Sequence, residues 1–131
     1  MLLAEGEAAA LNLLTKEEIG YSMCRSKLAE ILEKVMKAEL IRLGWFLEKT
    51  HDLEKLLGEL RARQSDLVAK LEPLCGDYTE AYFSGRYPGF DLDEPDWPTM
   101  RNHVHSAVAI IENVKLRLVK PSNLGGTSTS A

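Results

Sequence analysis

The sequence of 131 residues is short of several things, and each shortage closes off a class of protein. It holds two cysteines, Cys24 and Cys75. Two thiols so far apart build neither a disulfide scaffold nor a zinc knuckle. Nowhere does the chain approach the roughly 18 uninterrupted apolar residues of a membrane span. Its start, Met1-Leu2-Leu3-Ala4-Glu5, has no basic stretch and meets a charge at once, unlike a secretory signal peptide. Base is in deficit too. Against 20 Asp and Glu stand 16 Lys and Arg, for a net charge of −4. That balance argues against gripping nucleic acid through phosphate neutralisation alone. The nine glycines are scattered, and Gly125-Gly126 opens no helix, so no phosphate-cradling loop is present. There is no His-Glu-x-x-His pair, and no metal or cofactor is implied. These absences leave a small cytoplasmic protein with no membrane association.

What is present is apolar residue, 45% of the chain, arranged with a helical period. The length suits a single domain of roughly 100–200 residues that holds a core without staples. Glu7 to Leu14, rich in Ala and Leu, predicts a first helix. From about Lys16 to Leu43, the positions Tyr21, Cys24, Leu28, Ile31, Leu32, Val35 and Ala38, with Glu39 or Arg42, fall three or four apart. Arg25, Lys27, Glu30, Glu33, Lys34 and Lys37 occupy the opposite face. Thr15 suits the N-cap of that helix, with Glu18 completing a capping box, and Gly44 suits its C-terminal stop. Thr50 suits the next N-cap, ahead of a stripe formed by Leu53, Leu56, Leu57, Leu60, Leu67 and Leu71. Pro73 ends that stripe or begins another element. Residues 76–84 predict a short helix with an aromatic face, and 85–98 an irregular loop. Pro98 suits the first turn of a closing helix striped by Met100, Val104, Ala107, Val108, Ile111, Val114 and Leu118. The expected architecture is all-α, an up-and-down antiparallel bundle of four to five helices over residues 1–119, followed by a flexible tail over 120–131.

Few side chains suggest chemistry, and each has a bland alternative. Cys24 and Cys75 on apolar faces fill a core unless a histidine activates one of them. His51 at a helix start either locks the local backbone or meets a ligand. His103 and His105 point about 200° apart on a helix and cannot share one target. Arg101 and His105 do share a face. There, an imidazole moving a proton and a guanidinium stabilising charge could cleave a phosphodiester, or the two form a solvated pair. Lys34, Lys37, Lys49 and Arg86 would make a basic patch if the fold brought them together. Arg86-Tyr87-Pro88-Gly89 offers a guanidinium and a ring to a nucleotide, or a plug for the bundle end.

The order of these pieces carries a resemblance. A helix bearing Glu33-Lys34-Val35-Met36-Lys37-Ala38-Glu39-Leu40 is followed by Lys49-Thr50-His51-Asp52-Leu53 and its leucine helix, then by Tyr82 and Arg86-Tyr87-Pro88-Gly89, then by a closing helix. Over roughly residues 7–118 this resembles the HEPN domain family, small helical domains found beside minimal nucleotidyltransferases. The resemblance implies a bundle that forms a homodimer across a two-fold and works near nucleotides or nucleic acid. Many members are ribonuclease toxins of toxin–antitoxin pairs, or partners of a nucleotidyltransferase. Their active site uses an Arg and a His on the last long helix, more than one turn apart. Here Arg101 precedes His105 by only four residues. The resemblance therefore implies a module that acts with a nucleotidyltransferase and binds nucleotide or RNA through Lys34, Lys37, His51, Arg86 and Tyr87. The alternative is a metal-independent ribonuclease built on Arg101 and His105.

Overall fold

A computed structural model of the chain describes residues 2–46, 48–78 and 95–127, with side chains for 3–46, 48–78 and 95–118. Five helices succeed one another among them: α1 (Leu2–Lys16), α2 (Tyr21–Arg42), α3 (Leu53–Ala62), α4 (Val68–Tyr78) and α5 (Trp97–Thr127). No strand occurs among the described residues. The all-α bundle expected from periodicity is the architecture found. α2 lies at its centre, packed against each of the other four, while α4 and α5 touch least.

The apolar stripe of α2 explains that central place. Cys24, Leu28, Ile31, Leu32 and Val35 are all buried, and Ala29, Met36 and Leu40 widen the buried surface beyond one face. Burying a side chain of leucine size stabilises the fold by about 1.5–3 kcal/mol. The stripes of the flanking helices close over it, with Leu53, Leu56, Leu57 and Leu60 from α3 and Met100, Val104, Ala107, Ile111 and Val114 from α5. Gly44 ends α2 as its sequence suggests. It takes φ +92°, the Gly44 N–H reaches the Ile41 carbonyl and the Trp45 N–H reaches the Leu40 carbonyl. These paired bonds satisfy carbonyls that a helix end leaves open, and Trp45 and Leu40 are both buried in the core.

Other boundaries move from their expected places. Thr15 does not cap α2. It closes α1, where its buried hydroxyl donates back to the Leu11 carbonyl at 2.9 Å, a bond open to Thr inside a helix. α2 starts later, after Gly20 in the left-handed region at φ 65°, and without a side-chain cap. Asp52, rather than Thr50, caps α3, because its carboxylate accepts from the Glu54 and Lys55 N–H groups. Thr50 stands one step behind and accepts from the Asp52 N–H. The leucine stripe is not one helix either. Gln64 at φ 57° turns the chain between Leu60 and Leu67, so the stripe folds into the α3–α4 hairpin. Pro73 lies inside α4, where it can give no N–H to the Ala69 carbonyl four residues back.

Pro98 does sit in the first turn of α5, with Asp96 accepting from the Thr99 N–H and hydroxyl ahead of it. The backbone of α5 continues to Thr127, through the first part of the stretch whose composition suggests a tail. A helix already nucleated by packing adds one hydrogen bond per residue and needs no buried side chain to propagate. The aromatic part of residues 76–84 beyond Tyr78, and the loop as far as 94, lie outside the described residues.

Candidate functional site

α2 delivers its charged face toward α1 on one side and toward the start of α3 on the other. Toward α3, one carboxylate gathers two of the expected ligand-binding residues. Glu33 takes the Lys37 ammonium on Oε2 at 2.9 Å and His51 Nδ1 on Oε1 at 2.8 Å. Lys37 reaches it from one turn on, as an i,i+4 pair. His51 reaches it because the Asp52 cap fixes the entry into α3 one residue later. The imidazole stays 54% exposed while Glu33 is largely covered. The result is an exposed imidazole and a largely covered ammonium held on a common carboxylate.

Lys34 is drawn the other way. Its ammonium bonds Glu7 of α1 at 2.7 Å, and Lys27 shares the same carboxylate at 3.2 Å. Burial opposes ionisation of Glu7, but the hydrogen bonds from Lys34 and Lys27 hold its pKa below the usual carboxylate range. Lys34 and Lys37 therefore share a helix without sharing a partner. Arg86 and Tyr87 lie outside the described residues.

The other expected pair, Arg101 and His105, stands on α5. Arg101 turns toward α1, where its guanidinium donates to the Glu18 carboxylate at 3.0 Å and to the Thr15 carbonyl at 3.3 Å. His105 is exposed. The two share a helix, but the guanidinium already has two acceptors.

Two constellations escaped the sequence. The first joins α4 to α5. Tyr78, fully buried, meets His103 Nδ1 through its hydroxyl at 2.7 Å, and Asp77 Oδ2 lies 3.5 Å from His103 Nε2. Arg25 of α2 lies over the Tyr78 ring at 5.1 Å and donates to the Asp77 carbonyl. Burial pushes the Tyr78 phenol above its usual value and holds His103 below its usual 6.5, favouring the neutral imidazole. His103 also edges a cleft of about 330 Å³ between α4 and α5, beside Lys70, Pro73 and Ser106. Its ring was visible in the sequence, but nothing there paired it with Tyr78.

The second constellation is the fully buried Glu39, which takes Arg42 on both oxygens at 2.8 and 2.9 Å and Arg117 of α5 at 2.9 Å. Arg117 also bonds Asp66 of the α3–α4 turn at 2.8 Å. Burial alone would raise the Glu39 pKa, yet the two guanidinium groups hold it below the carboxylate range. A carboxylate on an apolar stripe was the available sign of it.

Among the described residues, no three His, Cys, Asp or Glu side chains group to hold a metal ion, and no helix is long and apolar enough to cross a membrane. The fold is thus that of a small helical domain whose surface chemistry is ionic pairing. The HEPN domain family model matches residues 4–120, nearly the whole chain, and the chain belongs to that family. No curated protein and no solved structure matches it.

Proposed function

We propose that this chain is a non-catalytic HEPN module that dimerises, works with a partner protein of the nucleotidyltransferase class, and holds a nucleotide phosphate at Lys37 and His51. One observation carries the non-catalytic part. The Arg101 guanidinium is already bonded to Glu18 and the Thr15 carbonyl, while His105 faces solvent. Cleaving a phosphodiester needs the imidazole and the guanidinium converged on one phosphate. The ligand part is supported by the convergence of Lys37 and His51 on Glu33. A phosphate that exchanges with this carboxylate finds two charge-assisted donors in place. Lys34, Arg86 and Tyr87 complete the proposed set. The net charge of −4 supports a protein partner over RNA. The two buried cysteines are thiols rather than a disulfide, which supports a reducing, cytoplasmic setting.

The test is thermal unfolding with ATP. Addition of ATP should raise the melting temperature by several degrees, since a ligand at 100 times its Kd adds about 2.7 kcal/mol. His51→Ala should abolish the rise, and Glu33→Gln, which removes the competing charge, should enlarge it. No rise with ATP, or a rise indifferent to both variants, overturns the ligand assignment.

A further inference from the structure

α4 and α5 run antiparallel. Asp66, just before α4, meets Arg117, and Tyr78 at the end of α4 meets His103. Between these two contacts the helices border a cleft of about 330 Å³. Leu74 and Ile110, both buried, lie at its base, while Ala69, Pro73, Ser106 and Ala109 are exposed along its walls. His103 stands at one end. Its Nδ1 bonds the Tyr78 hydroxyl and its Nε2 faces Asp77, so it closes that end without offering a further polar group. From His103 to Ile110 the wall runs through seven residues of helix, a span of about 10 Å.

Two polar groups mark the other end. Lys27, Lys34, Lys37, Lys55 and Lys115 each hold a carboxylate. Lys70 differs: among the described residues its ammonium has no ion pair and no hydrogen bond. No Asp or Glu lines the cleft. An anion entering there meets one uncompensated cation and no like charge, and gains a charge-assisted hydrogen bond. The second group is the Ala69 carbonyl, next to Lys70 in the chain. Pro73, one turn on, has no N–H to give it, so this carbonyl lacks its ordinary helical donor. A purely alkyl ligand would cover the carbonyl and leave it unbonded, at a cost in free energy. A ligand with a hydroxyl close to its carboxylate would pair with it. A few convergent polar groups over an apolar base are the usual make-up of a small-molecule site.

We propose that the α4–α5 cleft binds a medium-chain β-hydroxy carboxylate. Its carboxylate pairs with Lys70, its hydroxyl donates to the Ala69 carbonyl, and its alkyl chain lies over Leu74 and Ile110 toward His103. The span of about 10 Å suits a chain of about eight carbons. This site shares no residue with the nucleotide site proposed at Lys37 and His51 and does not depend on it. Titration calorimetry of the full chain with β-hydroxyoctanoate should show saturable binding of one molecule per chain. Octanoate, which lacks the hydroxyl, should bind about fivefold more weakly, as the loss of one neutral hydrogen bond predicts. Lys70→Gln should weaken β-hydroxyoctanoate about tenfold, as the loss of a charge-assisted bond predicts. Ala109→Trp should fill the cleft and abolish binding. Both variants should keep the helical circular dichroism of the wild type, because both positions are exposed. Failure of β-hydroxyoctanoate to saturate the wild type overturns the site, as does binding that Lys70→Gln and Ala109→Trp leave unchanged. Equal affinity for octanoate and β-hydroxyoctanoate overturns the hydroxyl's place on the Ala69 carbonyl.

Discussion

Two glutamates six positions apart on α2, Glu33 and Glu39, illustrate how one helix divides structural from available chemistry. Each binds two cations. Glu39 is wholly buried, with guanidinium groups from its own helix and from α5, and the Arg117 partner also ties down Asp66 in the α3–α4 turn. Glu33 is largely covered, with a covered ammonium on one oxygen and an exposed imidazole on the other. The buried network can be broken only at the cost of an uncompensated charge, so it fixes how α2, α5 and the hairpin meet. The His51 arm of the second group can exchange partners, since its ring is about half exposed and exposed pairs contribute only about 0–1 kcal/mol. The difference teaches that ion pairing alone does not mark a functional site. Access and the ease of exchange do.

The sharpest way to break the comparison is to remove each carboxylate. Glu39→Ala leaves Arg42 and Arg117 facing each other across a buried gap, and should cost about 3–5 kcal/mol in urea unfolding. A loss below about 1 kcal/mol would place Glu39 on the same footing as an exposed pair.

Acid should weaken the buried network. The Glu39 pKa lies below its ordinary 4.5 in the folded chain. The unfolded chain therefore takes up the proton first, and stability falls as pH drops from about 4.5 through the lower folded value. Glu39→Gln should flatten this part of the stability–pH curve, measured by urea unfolding between pH 5 and 3. His103 adds a separate window. Its folded pKa lies below 6.5, so acidification from that value downward should destabilise the fold, and His103→Asn should remove that contribution.

The smallest expected effect is that of Glu33→Gln on stability, within about 1 kcal/mol, since Gln keeps the size of the side chain and an oxygen for its donors. A larger loss would mean that Glu33 is part of the scaffold, and its donors would then be less free for a ligand.

Much of the fold was legible because helical periodicity is local. Cys24, Leu28, Ile31, Leu32 and Val35 fell on the buried face that their spacing predicts, and Gly44 stopped α2 through the conformation only Gly adopts freely. Boundaries were less legible because several residues could cap. Thr15 and Asp52 were decided by which backbone groups tertiary packing left open. The site was legible only in part, because its partners are distant in sequence. Spacing identifies Lys34 and Lys37 as neighbours on α2, but not that Glu7 takes one and Glu33 the other. Tyr78 and His103 meet only because α4 and α5 bring them together, a contact that no local pattern encodes.

On the proposed reading, this HEPN chain does not cleave RNA on its own. Incubation of the purified full chain with total RNA tests it most directly, alongside Arg101→Ala and His105→Ala. RNA should stay intact with all three proteins. Cleavage by the wild type that both substitutions abolish would contradict it and make Arg101 and His105 a ribonuclease pair.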